Sequence, residues 1–194
     1  LMLNYQICFP HLVESFIAPT QEDRRVSVLT FPVIKDIGTL VPLGYLASRD
    51  HARVDRKTSA WMMGKLLKML VFVHSQGISI NEVTGDNILI EREQHYVMVF
   101  DWTLATIHPG DIPHDITRED ISRGAVEIIR ALGGDPSSGK LPEDDQDSDG
   151  CYAKHVYDLA RGNEHDARHA HNCFYTLVRS LWPRRYWPFT TYNL

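Results

Sequence analysis

Glu82, Asn87 and Asp101 are the residues of this 194-residue chain whose types and spacing could do chemistry together. Glu82 and Asn87 stand five positions apart in Ile80-Asn81-Glu82-Val83-Thr84-Gly85-Asp86-Asn87, just ahead of the apolar run Ile88-Leu89-Ile90. Asp101 closes a second apolar run, Val97-Met98-Val99-Phe100. If the two runs pair as a hairpin, the three oxygen-bearing side chains converge. That set suits phosphoryl transfer. One carboxylate orients or deprotonates an attacking hydroxyl, while an amide oxygen and a second carboxylate hold Mg²⁺ against the phosphates.

The elements that must position these residues follow from periodicity. From Thr58 to Gln76, Trp61, Met62, Leu66, Met69, Leu70 and Val73 recur at three- and four-residue steps, which predicts a helix, with Gly77 as its stop. Ile88–Ile90 and Tyr96–Phe100 predict a hairpin across the polar turn Glu91-Arg92-Glu93-Gln94. Thr106 to Thr117, with Pro109, Gly110 and Pro113, predicts a loop, and Arg118 to Leu132 a helix ended by Gly133-Gly134. Residues 5 to 34 predict strands, 135 to 150 a loop, Cys151 to Leu181 one or two helices, and the remaining tail an irregular aromatic segment. The length suits one domain.

With these elements in place, the segment from His74 to Thr103 resembles the carboxy-terminal lobe of the protein-kinase-like fold. The family's catalytic loop reads H-R-D-L-x-x-x-N and its metal motif D-F-G. Here Ile80-Asn81-Glu82 through Asn87 stands in the first place and Asp101-Trp102-Thr103 in the second. The resemblance implies Glu82 as base, one methylene longer than the family's aspartate, and Asn87 and Asp101 as metal ligands. It also implies a hinge-like strand at Phe31, Val33, Ile34 and Lys35 that would contact ATP. Asp120-Ile121-Ser122-Arg123-Gly124 resembles the aspartate-led start of the family's central buried helix. The implied fold class is α+β: a mainly helical large lobe over residues 39–194, with a remnant small β lobe over residues 5–34.

The departures are specific. No glycine-rich phosphate loop and no V-A-I-K-type lysine is present, and Lys35 is the only lysine before residue 57. Ile80-Asn81 replaces the family's His-Arg, and Thr103 replaces the glycine of its metal motif. Two readings follow: an Mg-ATP-dependent phosphotransferase acting on a protein Ser/Thr or a small-molecule hydroxyl, or a catalytically degenerate binding or regulatory module. A third is one part of a split or truncated kinase.

Other features bound the reading. The net charge of −5 and the absence of a dense Lys/Arg block argue against nucleic acid. No run approaches the roughly 18 apolar residues of a membrane span, so no membrane is expected. Three widely separated cysteines and no visible secretory signal predict reduced thiols in the cytoplasm. Asp145 to Gly150 matches the opening of a calcium loop, but Val156 stands where the bidentate glutamate belongs, so a solvated acidic loop is expected. His165 and His169 have zinc-compatible helical spacing with no supporting ligand, so solvated histidines are expected. The aromatic tail (Trp182, Tyr186, Trp187, Phe189, Tyr192) is expected to pack on the helical body, or else to hold a protein partner, with Arg184 and Arg185 beside it.

Overall fold

The computed structural model describes residues 9–19, 24–31, 34–183 and 186–194. In chain order, an antiparallel hairpin of β1 (His11–Ile17) and β2 (Arg25–Thr30) leads through a single 3-10 turn to β3 (Val41–Pro42). Then come the short helix α1 (Tyr45–Ser48), β4 (Ala52–Val54) and the long helix α2 (Arg56–Ser75). β5 (Ile78–Ser79), β6 (Ile88–Glu91), β7 (Tyr96–Val99) and β8 (Thr106–Ile107) follow. Helices α3 (His114–Ala131), α4 (Cys151–Ala160) and α5 (Ala167–Leu181) complete the body, and β9 (Thr191–Asn193) returns to β4.

α2 is the spine. Asp55 caps it by accepting the Thr58 N–H at 2.7 Å, and Gly77, at φ +70°, turns the chain out of it. Met62, Met63, Leu66, Leu67, Met69 and Leu70 are all buried, so apolar residues run around most of its circumference and neighbours cover it on several sides. α3 packs closely on it at Gly124, where an added Cβ would stand 2.6 Å from a Leu66 methyl.

The predicted hairpin is present, with Ile88 opposite Val99 and Glu91 opposite Tyr96. β3 extends it into three strands. The helix read as starting at Arg118 starts at His114, because Pro113 supplies a preset φ at the helix entry. The tail read as irregular forms β9, paired with β4 from Ala52↔Asn193 to Val54↔Thr191.

The acidic loop is a capping device. Asp147 accepts the Tyr152 and Ala153 N–H groups at 2.9 Å each and lies 3.8 Å from the buried Arg56 guanidinium, so its carboxylate is spent on the start of α4. His165 lies ahead of α5 rather than on it and stacks on His114, so the helical His165–His169 pairing does not form.

The aromatic tail folds back as expected. Trp182 is buried, Trp187 and Phe189 pack against the core, and the His95 imidazole lies stacked between the Trp61 indole (4.6 Å) and the Tyr186 ring (4.8 Å). Arg184 and Arg185 lie outside the described residues. Burial, with Lys65 nearby, holds the His95 pKa below the ordinary imidazole value. The stack therefore contributes stability that is present above about pH 6.5 and is lost as pH falls through the lowered folded value. Acidification is expected to loosen the tail and change Trp61 fluorescence in that range, and His95→Phe should remove the acid transition while keeping the stack.

Candidate functional site

Two loops carry the predicted site, and two ladders clamp both. Residues 80–87 run from β5 to β6, and residues 100–105 run from β7 to β8. β5 pairs with β8 (Ser79↔Thr106) and β6 with β7 (Ile88↔Val99), so the loops lie side by side. Residue 87 then lies opposite residue 100, and Asn87 and Asp101 become neighbours by register alone.

The first loop is anchored from below by Asp120, fully buried on α3. Its carboxylate accepts the Ile80 N–H at 2.8 Å, the Asn81 N–H at 2.8 Å and His74 Nε2 at 3.1 Å. Asn81 sits in the left-handed region at φ +64°, which asparagine tolerates better than most residues. Its amide nitrogen donates to the Leu104 carbonyl (2.7 Å) and the Thr106 hydroxyl (3.0 Å), tying one loop to the other. Arg123 donates to the Asn81 carbonyl at 2.7 Å. The buried Glu127 closes against Gly85, and burial holds its carboxyl above the usual range despite Arg130.

Asn87 is bonded on every side to main chain. Its nitrogen donates to the Glu82 carbonyl (2.9 Å) and the Asp101 carbonyl (2.8 Å). Its oxygen accepts the N–H groups of Phe100 (3.2 Å) and Asp101 (2.6 Å). An amide has two N–H donors and two lone pairs, so this one is fully subscribed. Asp101 is exposed, and one carboxylate oxygen is drawn back by the Thr103 hydroxyl (2.5 Å) and N–H (2.8 Å), which hold its pKa below the usual carboxylate range. Glu82 is partly exposed, and its carboxylate has no hydrogen bond or ion pair among the described residues.

At the predicted hinge, β2 ends at Thr30, and the Ile34 N–H donates to the Phe31 carbonyl at 3.0 Å. Phe31 is buried and stacks on Phe100, the residue beside Asp101, at 6.5 Å. Ile34 is partly exposed, and Lys35 is exposed with its N–H on Gln94 Oε1 at 3.3 Å. Val33 lies outside the described residues. The loop pair and Phe31 are thus brought together, while the Lys35 main chain is tied to Gln94 in the hairpin turn. Among the described residues, the cavities between α2 and α5 and between α4 and α5 lie away from Glu82, Asn87 and Asp101. Among the described residues, no group of three His, Cys, Asp or Glu side chains is placed to hold a metal ion, and no helix is long and apolar enough to cross a membrane.

His74, Asn81 and Arg123 are site-building residues that spacing did not single out. Asparagine between a strand and a loop was a signal available for Asn81, since that residue type favours a left-handed turn. Replacing Asp120 with Ala orphans two buried backbone donors, and a loss of about 2–4 kcal/mol in unfolding free energy is expected. Hydrogen exchange is expected to accelerate most at the Ile80 and Asn81 amides, with the α5 amides little changed.

No family model matches the chain. A probable serine/threonine-protein kinase of Schizosaccharomyces pombe is 26% identical over 135 residues, covering 69% of this chain. The chain spans about 15% of the length of that curated relative. Among solved structures, the Rad53 kinase domain and SCD2 superposes with a TM-score of 0.61 at 16% identity, covering 85% of this chain and 70% of that one. The anchored loop pair, the helical body and these likenesses agree: the chain has a protein-kinase-like α+β fold.

Proposed function

We propose that this chain is a catalytically degenerate, kinase-like binding module. The observation that carries the reading is the saturation of Asn87. To meet a cation, its oxygen would have to give up the Asp101 N–H and its share of the Phe100 N–H, which the Asn87 main-chain carbonyl also accepts at 3.1 Å; an orphaned donor costs about 1–3 kcal/mol. Two further features act in the same direction. The base position holds Glu82, whose extra methylene displaces its oxygens by about 1 Å, an error of the size that can cost about 100-fold in rate. The position before it holds Asn81, whose side chain is spent joining the loops. A cytoplasmic setting belongs to this reading, as does a protein partner met through the outward rings of Tyr186 and Tyr192.

A second reading, Mg-ATP-dependent phosphotransfer with Glu82 as base, draws on one observation. The second oxygen of Asp101 has no protein partner among the described residues and is free for a cation. When bound, Mg²⁺ would supply charge neutralisation on the phosphates, with Asp101 as its holder and Phe31 beside the base of the nucleotide.

Thermal denaturation with millimolar Mg-ATP separates the two, followed by radiolabel transfer to protein and small hydroxyl acceptors. The degenerate reading predicts no Mg-dependent stabilisation, no label above background, and no difference between the native chain and Asp101→Ala. Stabilisation abolished by Asp101→Ala, with label on an acceptor, would overturn it.

A further inference from the structure

α4 and α5 flank an open groove of about 800 Å³, with an exposed thiol on each wall: Cys151 in the first turn of α4 and Cys173 within α5. Their neighbours differ. Cys151 lies beside Asp149, whose carboxylate favours the protonated thiol and pushes its pKa up. Cys173 Sγ lies 3.4 Å from Nε2 of His169, one helical turn earlier. Nδ1 of that imidazole is bonded to Glu164 Oε2. Glu164 is fixed in turn, because its other oxygen accepts the N–H groups of His165 (2.8 Å) and Asp166 (2.9 Å). A nucleophile, a base within reach and a third group orienting the base together form the signature of an activated nucleophile.

We propose that Cys173 is a reactive thiol that exchanges with small disulfides, with His169 as its base and Glu164 as the residue that positions the imidazole. Glu164 accepts a hydrogen bond from the Nδ1–H, leaving the Nε2 lone pair for the thiol proton. The Cys173 thiolate attacks one sulfur of the disulfide. A new S–S bond forms as the old one breaks, and the departing thiolate takes up the proton from His169 or from water. Cys173 is oxidised and the released half of the disulfide is reduced, so no further oxidant is needed.

The surrounding charges favour the step. Glu164 and then Asp166 raise the His169 pKa above the ordinary imidazole value, which favours an imidazolium beside the thiolate. From α4, the titratable groups facing the groove are Cys151, Lys154, His155 and Asp158. Burial keeps His155 below the ordinary value. None of these residues takes part in the loop pair, so the proposal stands apart from the question of phosphotransfer.

The test is the rate of mixed-disulfide formation at each cysteine of the full chain, using oxidised glutathione and peptide mapping by mass spectrometry near pH 7. Proton removal by the adjacent imidazole during attack is expected to raise the rate by about threefold or more. Cys173 is expected to exceed Cys151 by at least that factor. His169→Gln should remove most of the Cys173 rate gain and alter the pH dependence of that rate. Glu164→Gln should move the profile part of the way. Circular dichroism checks that the variants fold, and the change in the Cys173 rate on His169→Gln is the readout that separates activation of Cys173 from suppression of Cys151 by Asp149. Equal rates at the two cysteines, or an unchanged Cys173 rate in folded His169→Gln, would overturn the proposal.

Discussion

The buried carboxylate of Asp120 is the constraint on which the candidate site depends. A short loop between two strands has backbone donors that no ladder satisfies, and here two of them point into the protein. Asp120 receives both, together with His74, and so fixes where the chain leaves β5. Asn81 can then hold its left-handed turn and reach across to Leu104 and Thr106. Without that anchor the two ladders would still bring the loops near each other, but their conformation would be free. The exit from β5 and the turn at Asn81 therefore trace back to one side chain on α3.

The same logic explains how the site is spent. Asn87 stitches one loop to the other through three hydrogen bonds, with a fourth to Glu82 in its own loop, and Thr103 draws the Asp101 carboxylate back onto its own loop. An amide so engaged is a structural staple. A metal ligand needs a lone pair facing open space, and a staple needs that lone pair on a backbone N–H. The two roles compete for one oxygen, and in this chain the backbone holds it. The kinase-like loop pair is present, with the Asn87 amide turned inward to hold the loops.

Much of the fold was legible because its signals are periodic. The stripe from Trp61 to Val73, the two alternating runs that form β6 and β7, and the glycines at 77 and 133 each have one physical reading. What remained hidden depends on contacts between distant residues. β4 and β9 are three residues each and are strands only because they meet. The acidic run reads like a cation loop until Arg56 and the start of α4 are seen to claim Asp147. The identities of Glu82, Asn87 and Asp101 were readable, as was their proximity. The direction in which the Asn87 amide spends its hydrogen bonds was not, since spacing carries no information about which neighbour claims a lone pair. Phe31 shows the same limit: its pairing with Phe100 joins residues 69 positions apart.

The most direct test of Asn87 as a staple is to follow its side-chain amide resonances by NMR while titrating Mn²⁺ with ATP. Paramagnetic broadening acts strongly on groups next to the ion. If the backbone owns this amide, its signals persist, exchange slowly with solvent and keep their shifts at millimolar Mn-ATP. Selective loss of the Asn87 signals, together with those of the Asp101 loop, would place the cation between the two side chains and contradict the account.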